Sequence, residues 1–126
     1  MKYRLKINDI LINQDNSSEI VINLSQKSID SYANEKNRVE VVVDGFVYTN
    51  DNMGIKNKDL IKKLVEIQYE YLDISLEIEN MVYKLPKMYI HSLNQSFSNG
   101  IGKYKLVLLQ KFIGKEKELV IYENSN

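Results

Sequence analysis

The feature that most limits what this chain can fold into is a two-residue period of apolarity that recurs along most of its length. Tyr3, Leu5 and Ile7 alternate with Lys2, Arg4 and Lys6, and Ile20, Ile22 and Leu24 alternate with Glu19, Val21 and Asn23. Val39, Val41 and Val43 alternate with Glu40 and Val42, and Ile74, Leu76 and Ile78 lie opposite Asp73, Ser75, Glu77 and Glu79. Side chains of a strand point to opposite faces in turn, so this pattern is that of half-buried β-strands. A run over 87–97 places Met88 and Ile90 on one face and Tyr89, His91 and Leu93 on the other. Turns are expected at Asn8-Asp9, Glu79-Asn80, Ser98-Asn99-Gly100 and Gly114-Lys115-Glu116-Lys117. Asp44-Gly45 reads as a bulge or bend inside a strand, because strand-forming residues flank it on both sides.

The period changes to that of a helix over 58–71, where Leu60, Ile61, Leu64, Ile67 and Tyr71 form one apolar stripe. Asn57 is positioned as its N-cap and Asp59 places an acid in its first turn. Four strands, one helix and four or five further strands joined by short connections define a mainly β class. The expected architecture is an antiparallel β-sandwich or barrel with one flanking amphipathic helix, in a single domain spanning 1–126.

Composition removes several function classes. Seventeen basic residues balance seventeen acidic ones, which argues against general polyanion binding and so against nucleic acid as a partner. With no cysteine there is no disulfide, thiolate metal site or cysteine nucleophile, and the single histidine, His91, cannot build a histidine-rich metal centre in one subunit. No apolar run is long enough for a membrane helix, and the N-terminal MKYRLKIND carries no export signal, so synthesis in the cytoplasm is expected.

No constellation announces a reaction, and the chain is read as a non-enzyme needing no cofactor or metal. Asp73, Glu77 and Glu79 share one strand face, but a solvated face gives the same pattern. His91 lacks a serine or cysteine partner motif. Gly100-Ile101-Gly102 is followed by a strand, so it reads as a hairpin turn, not a phosphate loop. Lysines 56, 58, 62 and 63 are followed closely by Glu66, Glu70 and Asp73, as on a solvated helix face.

Two segments depart from a plain sandwich. Residues 25–38 (SQKSIDSYANEKNR) are polar and long for a connection within a compact domain, as functional loops often are, although a surface loop is an equal reading. In 104–113, Tyr104, Leu106, Leu108 and Phe112 share one face while Val107, Leu109 and Ile113 occupy the other. A strand apolar on both faces must be covered twice. One face takes the core, and the other is covered by the helix or by another subunit.

The order RLKINDILI, IVINLS, a long polar loop, VEVVVDGFVY, the helix DLIKKLVEIQYEY, the hairpin DISLEIENMVYKL and the pair KMYIHSLNQSFS…KYKLVLLQKFI resembles the tube-forming proteins of contractile injection machines. These are the haemolysin-coregulated protein (Hcp) of type VI secretion and the phage tail-tube proteins. The resemblance covers about residues 3–113 and rests on order and spacing; this chain is shorter than many members, and its 25–38 loop lacks the glycine-rich character that some of them show. It implies six-membered rings that pair through sheet edges and stack head to tail. Such rings would form a passive conduit driven by a contracting sheath, with sheath, tip and effector proteins as partners and export without a signal peptide. On this reading Tyr104, Leu106, Val107, Leu108 and Leu109 serve ring packing, and Ser28, Asp30, Tyr32, Asn34, Lys36 and Arg38 serve ring stacking. The alternative is a monomeric β-barrel module that binds a small apolar ligand.

Overall fold

A computed structural model describes residues 2–25, 38–48, 57–111 and 120–123. The elements run β1 (Tyr3–Ile7), β2 (Ile10–Asn13), β3 (Glu19–Ser25), β4 (Arg38–Tyr48), α1 (Lys58–Glu66), β5 (Leu72–Ile78), β6 (Met81–Ser98), β7 (Ile101–Gln110) and β8 (Val120–Glu123). All strand pairs are antiparallel. They form one eight-stranded sheet in the order β2-β1-β5-β6-β7-β4-β3, with β8 beside β6. The mainly β antiparallel class with one helix is therefore what the chain adopts, as a single rolled sheet and not as two separate ones. Leu5, Ile7 and Ile12 from one end of the strand path join Val39, Val41 and Val43 from the other in one apolar cluster. The sheet must curl to bring them together.

The short connections carry the backbone strain that tight turns require. Asn8, Glu79 and Asn99 all have positive φ, and Asn99-Gly100 (φ 53° and 74°) makes the paired left-handed turn that suits the twist of a hairpin. The loop that follows β3 leaves the β3–β4 ladder at the pair Ser25 and Arg38. The expected turn at 114–117 lies outside the described residues.

The helix is shorter than the 58–71 stripe predicts. Leu60, Ile61 and Leu64 are buried in the common core, but the helix ends at Glu66, where amides of 67, 68 and 70 bond three residues back instead of four. This tight turn leaves Ile67 only partly buried against the core and Tyr71 exposed, so the chain can enter β5 at Leu72. Asn57 occupies the N-cap position without capping through its side chain. Buried, it donates through Nδ2 to the carbonyls of Phe46 (2.6 Å) and Asn16 (2.8 Å), while its N–H bonds Val47 O at 2.8 Å.

β6 is one continuous strand where the pattern suggests two runs. Its ladder with β5 slips between the pairs Leu72–Met88 and Ile74–Leu85, next to Lys87 at φ 58°. Its ladder with β7 slips between Ile90–Leu108 and Ser92–Val107, so His91 is the extra, exposed residue. A one-residue bulge resets the alternation. Leu93 therefore shares the inward face with Ile90, pairing with buried Leu106, instead of lying opposite it. β4 passes through Asp44-Gly45 without a break, and its register shift comes later, between Phe46 and Tyr48.

Candidate assembly surface

The sheet divides the five residues expected at a ring interface. Tyr104, Leu106 and Leu108 point inward, at 2%, 0% and 0% exposure, and their side chains belong to the core. Val107 and Leu109 point outward and are half-buried. The helix lies on the inward side, since its stripe is part of the core cluster. It does not cover the outer face of β7.

Cross-strand pairing extends that outer face into ordered rows. Val21, Val42 and Val107 align across β3, β4 and β7, and the row ends at Ser92 of β6. The next row runs Asn23, Glu40, Leu109 and Tyr89, with the Asn23 amide donating to Glu40 Oε1 at 2.9 Å. On the other side of the valines lie Glu19, Asp44, Lys105 and Asn94. The result is an aliphatic band bordered by charges, on strands whose opposite face is already in the core. Beside Tyr89, Tyr71 stacks edge-on (6.1 Å between centroids, 87° between planes), and Lys111 Nζ sits 4.9 Å over the Tyr71 ring. Such contacts contribute about 0.5–1.5 kcal/mol each where partly desolvated.

Among the described residues, the four strands β6-β7-β4-β3 have no further strand beyond β3 or beside the 90–98 stretch of β6. Among the described residues β3 pairs with β4 alone, and no described strand lies on its far side. β5 accompanies β6 only up to the pair Leu72–Met88, so over 90–98 no described strand lies on that side of β6. Unpaired edges are templates for pairing with another chain unless they are blocked. Through three antiparallel steps β3 runs opposite to β6.

A buried polar network sits where β3 begins. The Tyr3 hydroxyl meets Ser17 Oγ at 2.6 Å, and Ser17 Oγ donates to Asn13 O at 2.5 Å. The Tyr104 hydroxyl donates to Asn16 O at 3.0 Å, the same carbonyl that receives Asn57 Nδ2. Ser18 N–H and Oγ then reach Asp44 O at 2.7 and 3.0 Å. Burial, with Tyr3 and Asp44 nearby, raises the Tyr104 hydroxyl well above its ordinary pKa of 10.0. Gly45 faces Tyr104 across the ladder, and a Cβ there would lie 2.6 Å from Cζ and 2.7 Å from the hydroxyl oxygen. Glycine is thus required by the close approach of the ring. Sequence periodicity misses this network, because its residues come from five separate segments; its one local signal is the polar stretch Asn13-Gln14-Asp15-Asn16-Ser17-Ser18.

The other singled-out groups do not converge. Asp73 is exposed, Glu77 half-buried and Glu79 in a turn, and no cluster of metal-ligating side chains exists among the described residues. Among the same residues no helix is long and apolar enough to cross a membrane. Ser28, Asp30, Tyr32, Asn34 and Lys36 lie outside the described residues, while Arg38 opens β4 opposite Ser25.

No protein-family model and no curated protein matches the sequence. The fold does have solved counterparts. A chain of the virion of a native gene transfer agent particle superposes with a TM-score of 0.68 at 14% identity, covering 95% of each chain. A chain of the sheath-tube complex of an extracellular contractile injection system, PVC, in its extended state gives 0.62 at 16% identity, over 97% of this chain and 88% of the other. Hcp1 from Flavobacterium johnsoniae gives 0.55 at 9% identity, over 98% and 100%. The fold is that of the Hcp and tail-tube-like proteins, and the likeness read from element order is present in three dimensions.

Proposed function

We propose that the chain is the structural, non-catalytic subunit of the inner tube of a contractile injection machine, assembling as stacked rings that carry or conduct effectors. One observation carries the reading: among the described residues, a four-stranded run has no further strand beyond β3 or beside 90–98 of β6 and bears an apolar-banded outer face, on a fold shared with chains of such machines. The β3 edge of one copy pairs with the 90–98 edge of the next. This contact is head-to-tail, so repetition closes into a ring, which we take to be hexameric. Each copy's core face is already covered by its own β1, β2, β5 and α1, so that bulk lies outside the ring. The face bearing Val21, Val42, Val107 and Leu109 then surrounds the bore.

β3 ends at Ser25 and β4 begins at Arg38 on one rim, and the Asn99-Gly100 turn, flanked by exposed Phe97 and Ile101, stands on the other. Loop residues Ser28, Asp30, Tyr32, Asn34, Lys36 and Arg38 are proposed to seat on the following ring. The partners are then sheath, tip and effector proteins, with no nucleic acid or membrane requirement, and the machine exports the protein after cytoplasmic synthesis.

Light scattering of the purified chain tests this: a mass near six subunits is expected, and a strict monomer at high concentration refutes it. Val107→Glu or Leu109→Glu replaces a side chain that faces the bore in this arrangement, and circular dichroism is expected to stay native. Global unfolding of both variants would mean the outer face is core. A monomer that retains a small apolar ligand in native mass spectrometry would favour the barrel-module alternative instead.

A further inference from the structure

We infer that the buried network around the Asn16 carbonyl, with Tyr104 and Asn57 as its donors, is a positioning device that presents the free edge of β3 to the next copy. The inference rests on the ring reading above and assigns residues outside the contact itself to setting its strength.

β3 is the least secured of the four strands in the proposed ring. Among the described residues it has one ladder partner, its inward residues Ile20 and Ile22 are only partly buried, and Val21 is 37% exposed. Side-chain burial therefore does little to fix its angle to β4. What fixes its start is the 13–18 link. Tyr3 of β1 holds Ser17, Asn57 at the head of α1 and Tyr104 of β7 hold Asn16, and Ser18 bonds β4 at Asp44. Tyr3, Ser17, Asn57 and Tyr104 are all buried, at 7%, 3%, 7% and 2% exposure. A polar network in an apolar core adds little net stability over well-packed apolar side chains, but it permits one arrangement and penalises the others. Here the single arrangement is the direction in which β3 leaves the core. An edge held rigidly in its paired geometry loses less freedom on association, and so binds more tightly with no added contact.

Gly45 belongs to the same device. Only a residue without a Cβ lets the Tyr104 ring cross β4 to reach Asn16. None of Tyr3, Ser17, Asn57 and Tyr104 lies on the β3 or β6 edge, so an effect of these residues on assembly must pass through β3.

The test compares the full-length wild type, Tyr104→Phe and Leu64→Ala in a dilution series read by light scattering, with unfolding midpoints and amide exchange measured in parallel. Tyr104→Phe keeps the ring in the core, and Asn16 O keeps its Asn57 donor, so the subunit stays folded. The expected result is about a tenfold rise in the concentration at which rings dissociate, with faster exchange confined to the amides of 18–23. Leu64→Ala, which weakens the core two turns along α1 from Asn57 and removes none of the network's hydrogen bonds, is expected to shift that concentration by less than about twofold although it lowers the unfolding midpoint more. Rings of Tyr104→Phe that dissociate at the wild-type concentration overturn the inference, as does an equal shift in Leu64→Ala. A wild-type chain that stays monomeric throughout refutes the ring reading itself, a result separate from intact wild-type rings that Tyr104→Phe leaves unchanged.

Discussion

Gly45→Ala is the most direct probe of how this core is built. The new methyl carbon would stand 2.6 Å from Cζ and 2.7 Å from the hydroxyl oxygen of Tyr104, well inside van der Waals contact. Tyr104 is 2% exposed and its hydroxyl is bonded to Asn16 O, so the ring must tilt or β4 must lift. Overpacking of this kind costs about 1–3 kcal/mol. A tilted ring also loses its hydrogen bond to Asn16 O, about 1 kcal/mol more. Against this, alanine restricts the unfolded chain and recovers roughly 0.5–1 kcal/mol. Overpacking wins, and the net loss is about 1–3 kcal/mol. At the usual unfolding entropy per residue, a chain of 126 residues loses about 4 °C of Tm per kcal/mol, so a drop of roughly 4–12 °C is expected in a thermal melt followed by circular dichroism. In a Tyr104→Leu background the methyl meets no ring, and most of the penalty should vanish, which a double-mutant cycle measures. A Gly45→Ala protein within about 0.5 kcal/mol of wild type, or a penalty that persists in the Tyr104→Leu background, refutes the steric argument.

Two further outcomes are expected. Leu64→Ala removes a fully buried helix side chain and should cost about 2–4 kcal/mol by denaturant unfolding; a loss below about 1 kcal/mol would mean the helix is not seated in the core. The third concerns pH. Tyr104 is held neutral by burial, so its folded pKa exceeds the unfolded value near 10.0. Its contribution to stability is therefore complete below about pH 10 and is lost as pH rises above it, at up to about 1.4 kcal/mol per pH unit, because the unfolded chain releases the proton first. Unfolding measured from pH 8 to 11 should show this decline, and Tyr104→Phe should flatten it; identical alkaline slopes would disprove the assignment.

What the sequence determined by itself is the class of fold and its order, because alternation, helical spacing and turn residues are local signals. Tyr3, Leu5 and Ile7 face inward as their period demands, and Leu60, Ile61 and Leu64 bury the helix as their stripe demands. The two-faced run in β7 was equally legible: Tyr104, Leu106 and Leu108 turn into the core while Val107 and Leu109 face outward, away from the helix. Tertiary structure decided what lies beyond a few residues of chain. A bulge at His91 turned Leu93 to the inward face, and a tight turn after Glu66 took Tyr71 off the helix and set it against Tyr89. Asn57, placed by sequence to cap a helix, instead ties two distant carbonyls together. Hydrogen bonds and ring contacts between remote segments leave no period in the sequence, since each partner is chosen by where the rolled sheet brings it. That β3 and the 90–98 stretch of β6 lie at the margins of the described sheet is likewise a property of strand order, which the strands' own residues do not encode.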